Sequence, residues 1–286
     1  MLWFWITLVS ALAWSAVDAL SKWISTEVSD FANLWIRFLY ATPFLLIVWF
    51  FVDIPPLDAT FWEALIVLIP LEFLAWSLYL KAIRQSPLSL TIPFLGLTPV
   101  FLLIFPWIIL GEKVSLTGGL GVLLVGTGIY FLNIRETKHG WLAPLKAIQS
   151  EKGSLLMVIV AIIFSISATF GKLAITHSSP LFFAGFYYPV LAIIILPYAL
   201  FKPQRFQGVF THPWRSLLIG IFFGLMAITH FYALTITKVA YMVAVKRTSL
   251  IFSSLLGFLF FKETDIRNRL PGAAIILLGV ILITLS

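Results

Sequence analysis

Cysteine is absent from all 286 residues, so no disulfide framework, thiolate zinc site or Cys-x-x-Cys redox pair can be built. Charge is scarce as well: 11% of residues are charged, against 61% hydrophobic and a mean hydropathy of +1.04. A soluble domain carries about a quarter charged residues to clothe its surface. This composition excludes that, and implies an all-α integral membrane protein that crosses the bilayer repeatedly. Catalytic signatures are missing too. No His-Glu-x-x-His, Gly-x-Ser-x-Gly or paired-Asp metal motif occurs, and ATP-driven transport lacks its Gly-x-x-x-x-Gly-Lys-Ser/Thr loop. Neither an enzyme, a metal nor a cofactor is expected. The first apolar run starts at Leu2 with no basic segment before it and no small-residue cleavage site after it, so it reads as a retained helix.

What the chain has is apolar runs. A bilayer core needs about 20 apolar residues per helix. Ten candidates stand between polar punctuation: 3–21, 31–52, 61–80, 88–110, 114–133, 154–173, 180–200, 215–236, 239–261 and 268–285. The one long connection, 134–153, is basic and aromatic and suits a segment lying on the membrane surface. It separates two halves, 1–133 and 154–286, that match in order. Ser15, Lys22 and Thr26 align with Ser165, Lys172 and Thr176; Phe101 and Glu112 with Phe252 and Glu263; Gly119 and Gly126 with Gly272 and Gly279. Five helices per half is an odd number, so the second half is expected upside down relative to the first. Inverted repeats place a site near the midplane, between the halves, and permit alternating access.

This arrangement resembles the drug/metabolite transporter superfamily, specifically its EamA-like members: a Pro- or Ser-containing fourth helix ending in Glu, then a Gly-rich fifth, twice over. The resemblance covers nearly the whole chain. It implies ten transmembrane helices in two inverted five-helix repeats and a transport function, with a small-molecule substrate and the lipid bilayer as partners, as a monomer or homodimer. It leaves the substrate open.

Lys and Arg are unevenly placed. They crowd the loops after the odd-numbered spans, whereas the other face holds only Lys113, Lys172 and Lys238. The net charge of +7 is thus explained by orientation, with no need for nucleic acid. The crowded side is expected to be cytoplasmic and both termini outside, in a multi-pass protein of a prokaryotic plasma (inner) membrane.

The sharpest anomaly is Lys246–Arg247, two adjacent cations roughly 11 Å inside the ninth span. An uncompensated cation at such depth costs about 2.5–3.5 kcal/mol. Adjacent helical side chains point about 100° apart, so both are not expected to snorkel. They should face a wet cavity, a counter-charge or an anionic ligand; the bland alternative is an ion pair that only locks helices. Glu72, with Trp76 and Tyr79 on its helix face, is the expected counter-charge and proton-coupling candidate. His230 lies at a similar depth, Tyr241 nearer the rim, and Trp14 is a candidate lining residue. Asp18 and Lys22, at i and i+4, are expected to pair locally at the cytoplasmic mouth, with Arg37 beside it. Pro93, Gly96 and Pro99 weaken the fourth helix and suit a gate or a static kink.

These features together suggest a secondary active transporter of a small polar organic anion or zwitterion. The alternatives are a flippase for a phospholipid or lipid-linked sugar, and a broad-specificity drug or metabolite exporter, which a positive site disfavours if the drugs are cations. The orientation is testable: a reporter active only in the cytoplasm, fused after Ser286, should be silent. Activity would reverse the assigned topology.

Overall fold

The computed structural model describes residues 1–86, 88–133, 151–262 and 266–286. Helices dominate throughout, and the described residues contain no strand. Eight segments are long and apolar enough to cross a membrane. They are α1 (Leu2–Ile24), α2 (Asp30–Trp49), α3 (Ala59–Gln85), α4 (Ile92–Leu110), α6 (Lys152–Thr176), α7 (Pro180–Phe201), α8 (Pro213–Ile236) and α9 (Val239–Phe261). Two shorter apolar helices also occur among the described residues, α5 (Leu116–Asn133) and α10 (Ile266–Thr284). Most of the connection 134–153, which is expected on the membrane surface, lies with Glu263 outside the described residues.

Local chemistry sets the boundaries. Ser29, Asp58 and Ser179 cap α2, α3 and α7 by accepting from the backbone N–H groups of Ala32, Phe61 and Phe182. Gly111 ends α4 in the left-handed region (φ 69°), and Lys262 ends α9 there (φ 54°).

Two spans expected as single helices are broken. Within α4, a 3-10 stretch over Ile92–Gly96 is followed by short helical pieces at Leu97–Phe101 and Phe105–Leu110. Pro93, Pro99 and Pro106 cannot donate to the ladder, which accounts for the interruptions. In α9 the break falls after Lys246, and Arg247 and Thr248 separate Val239–Lys246 from Ser249–Phe261. No proline explains this one. The backbone tightens instead, with Thr248 N bonded to Val245 O and Leu250 N to Arg247 O.

The dominant contacts pair α1 with α8, α3 with α6, α2 with α7 and α8, and α5 with α10. Each pair joins a helix from before the connection to one from after it. Glycine permits a close approach between α5 and α10. A Cβ on Gly279 would lie 2.6 Å from Gly121 O and 2.8 Å from Val125 N. Gly96 serves packing too, since its Cβ position is 2.8 Å from Gly126 O. Gly220 and Gly224 similarly admit Tyr40 and Phe44 of α2 against α8.

Gly279→Ala should therefore lower the melting temperature of the purified protein, at a cost of about 1–3 kcal/mol. Gly119→Ala, whose nearest foreign atom would be Val114 Cγ2 at 3.7 Å, should be close to neutral. Equal effects would mean that the α5–α10 contact is looser than described.

Candidate functional site

Trp14, midway along α1, has two cations against its ring. Lys246 Nζ sits 5.0 Å from its ring centroid and Arg37 Cζ 5.5 Å from it. Lys246 reaches this place from the end of the first piece of α9. Its ammonium also meets two neutral groups on α8, Met226 Sδ at 3.1 Å and His230 Nδ1 at 3.2 Å. An ammonium has no lone pair, so Lys246 donates and Nδ1 accepts when the lysine is charged.

Asp18, one turn beyond Trp14, is the carboxylate of this cluster. It pairs with Arg37 Nη2 at 3.5 Å and accepts from Ser253 Oγ of α9 at 3.5 Å. Its charge also acts on Lys246 and Arg247. The ion pair thus runs across helices to Arg37 rather than along α1 to Lys22, because Asp18 faces α2 and α9. Lys22 lies exposed at the end of α1, its ammonium 4.8 Å from the Phe261 ring. Asp18 keeps 32% of its side-chain exposure and Arg37 15%, although both are set well along their helices. Trp14, Tyr79, His230, Lys246 and Arg247 are partly accessible as well.

Glu72 is elsewhere. Its Oε1 accepts from Trp76 Nε1 at 3.1 Å, one turn along α3, and its charge is felt by Tyr187 and Tyr188 of α7. The expected pairing of Glu72 with Lys246 or Arg247 does not form; the carboxylate whose charge reaches them is Asp18, because α1 and not α3 packs beside α9. Trp76 in turn meets Tyr79 edge-on at 5.6 Å.

Tyr241 stands apart too, at the other end of the first α9 piece. Its hydroxyl accepts from Ser115 N at 3.1 Å and lies 3.2 Å from Ser115 Oγ. Lys238 stacks over its ring at 5.2 Å. With Lys172, Thr237 and Ser286 they line a hollow of about 490 Å³ at this end of the bundle.

One cluster was not anticipated. Lys172 of α6 forms an ion pair with Glu112, just past α4, and donates to Thr237 O at 2.6 Å. The second carboxylate oxygen of Glu112 accepts from Val239 N at 2.9 Å, the first N–H of α9. Both side chains are largely buried, at 12% and 14% exposure. Glu112 so serves as a helix cap and an ion-pair partner at once, tying α4 to α6 and α9. Both residues stand out in the internal alignment, through Lys22 and Glu263, but only as repeat markers. On the same face, in the loop before α3, Phe61 N–H and His177 hold the Asp58 carboxyl below its usual range.

Removing one partner of a buried pair leaves the other uncompensated. Glu112→Gln or Lys172→Met should each destabilise the purified protein by about 3–5 kcal/mol. The double variant should cost less than the two singles combined. Additive losses in a double-mutant cycle would show that the two groups act separately.

Comparison with known proteins fits this architecture. The EamA-like transporter family matches the chain over residues 1–134 and again over 151–285. An uncharacterized transporter of Archaeoglobus fulgidus is 24% identical over 286 residues, covering 98% of this chain and 97% of its own. A protein of known crystal structure superposes with a TM-score of 0.75 at 17% identity, over 99% of this chain and 96% of its own, which shows a shared fold. The chain is an integral, multi-pass membrane protein with the helical composition of a transporter, and it belongs to the EamA-like transporter family.

Proposed function

We propose that the protein is a secondary active transporter that moves a small organic anion or zwitterion by alternating access. The observation that carries this reading is the charge balance around Trp14: Arg37, Lys246 and Arg247 against the carboxylate of Asp18. In lipid, a surplus of cation needs an anion. A carboxylate or phosphate suits it, since Arg offers a planar fork and Lys a point charge.

The mechanism rests on two inverted five-helix repeats, 1–133 and 154–286. Several details support them. Ser15 and Ser165, matched in sequence, make the same bond at the same length, to Leu12 O and Ile162 O at 2.7 Å. The matched spans α4 and α9 are both broken, and both end on a left-handed residue. Exchanging the halves turns the α1–α8 pair into α6–α3, and both pairs are present. Broken helices at the interface of such repeats are where transporters hold substrate. The Glu112–Lys172 pair sits at the end of the bundle that carries both termini, which the Lys and Arg distribution assigns to the outside. There it holds α4 of one repeat to α6 and α9 of the other. Outward opening requires it to part. Glu72 has Trp76 and not a cation at its carboxylate, so it can gain a proton without breaking an ion pair, which suits a coupling role.

A thermal-shift screen of the purified protein against carboxylates, phosphates and amino acids tests the substrate class. Some of these should raise the melting temperature, and Lys246→Ala should weaken the best of them about 10–100-fold, the value of a charge-assisted hydrogen bond. In vesicles, uptake of that ligand should respond to an imposed pH gradient, and Glu72→Gln should abolish the response. Stabilisation by organic cations alone would contradict the substrate class; Glu72→Gln uptake that still follows the gradient would remove Glu72 from coupling.

A further inference from the structure

Phe31, in the first turn of α2, carries two guanidinium groups on one ring. Arg84 Cζ, from the end of α3, lies 5.6 Å from its centroid, and Arg205 Cζ, from the loop between α7 and α8, lies 5.3 Å from it. The phenyl face attracts each cation but leaves their mutual repulsion in place. One carboxylate is at hand. Asp30, beside Phe31, reaches Arg84 Nη2 at 3.5 Å, the outer edge of a hydrogen bond, and both side chains are more than half exposed. Arg205 has no acid partner among the described residues. The other described acids at this end are committed, Glu27 to His212 at 2.9 Å and Glu151 to Ser86 at 2.7 Å. Lys81, one turn before Arg84, and Lys202, just past α7, are exposed and add to the surplus of positive charge.

The chain around Arg205 is pinned to α2. Ser29 Oγ, the cap of that helix, donates to Arg205 O, and Ser29 N donates to Gln207 O at 3.4 Å. Phe206 is buried against Phe31, Trp35 and Tyr198, with ring centroids 6.2, 5.4 and 5.8 Å away. Just before this loop, Tyr198, Leu200 and Phe201 end α7 with their side chains exposed, Phe201 by 80%. Exposed aromatics at the end of a span mark the headgroup level of the bilayer.

We infer that the cluster of Arg84, Phe31 and Arg205 binds the phosphate of an anionic phospholipid, whose acyl chains lie beside the exposed end of α7. Positive charge crowds the loops at this end of the bundle, which are the ones expected on the side whose leaflet carries anionic lipid. A guanidinium presents phosphate oxygens with a planar fork of N–H donors, where an ammonium offers a point charge. Phe31 brings two such forks to one place, and a phosphate supplies the charge that Asp30 leaves unmatched. Phe31 and Arg84 precede the connection 134–153 and Arg205 follows it, so a bound lipid ties the two halves together here. The cluster stands at helix ends and uses no residue of the Trp14 site, so this lipid is a fixed partner and not the cargo.

Native mass spectrometry of the full chain, released from detergent, counts bound lipids directly. Phosphatidylglycerol should bind about tenfold more tightly than phosphatidylcholine with the same acyl chains. Arg84→Gln and Arg205→Gln should each weaken phosphatidylglycerol about fivefold, and together they should remove the preference. Arg205→Lys, which keeps the charge and loses the fork, should retain part of the affinity. Lys262→Gln takes the same charge from the same end and should change nothing. Both arginines are exposed, so the variants should fold. A preference that persists in the double variant, or that falls as far in Lys262→Gln, would overturn the site. Inorganic phosphate that displaces phosphatidylglycerol at equal concentration would overturn the lipid as its occupant.

Discussion

Lipid offers no partner to a charge, so every cation drawn into the span must be answered from within the protein. Arg37, Lys246 and Arg247 are answered unequally. Arg37 has Asp18, Lys246 has the Trp14 face and the acceptors Met226 and His230, and Arg247 feels the Asp18 charge while its Nε has no hydrogen-bond partner among the described residues. Trp14 makes this tolerable, because one indole ring lies against two cations and attracts both. The proposed anion site rests on this imbalance of charge.

The helix breaks follow from the same demand. A continuous helix consumes all of its backbone bonding internally and offers a ligand only side chains. At Arg247–Thr248 the ladder tightens, and Lys246, the last residue before the break, reaches α1 and α8. In α4 three prolines achieve a similar interruption by removing donors outright. Around these irregular segments the glycine contacts of α5 with α10 supply a tight, regular packing, so that irregularity is confined to where polar groups collect.

Depth was legible in the sequence, and direction was not. Counting residues from a span's end places Lys246, Arg247, Glu72 and His230 inside the membrane, and the runs between polar punctuation locate the helices to within a few residues. Which neighbour each side chain faces depends on how the helices pack, and one sequence does not state that. Glu72 therefore meets Trp76 where a cation is expected, and Asp18 turns across to Arg37 where the i, i+4 spacing on its own helix points to Lys22. The Lys172–Glu112 pair was hidden differently. Both residues fall near the ends of spans, where a charge is ordinarily just solvated, and only the fold brings 112 and 172 together. Broken α9 was invisible because no proline or glycine marks it; the one signal was the Lys-Arg pair itself.

The central claim is that Lys246 and Arg247 face an interior hollow that receives an anion. Crystals of the protein soaked with bromide or selenate give its most direct measurement, by anomalous scattering. The account predicts an anomalous peak within hydrogen-bond distance of Lys246 Nζ or the Arg247 guanidinium, absent in Lys246→Ala, Arg247→Gln. Strong peaks confined to the loops, with both side chains sealed in apolar contacts or turned to the acyl chains, would contradict it.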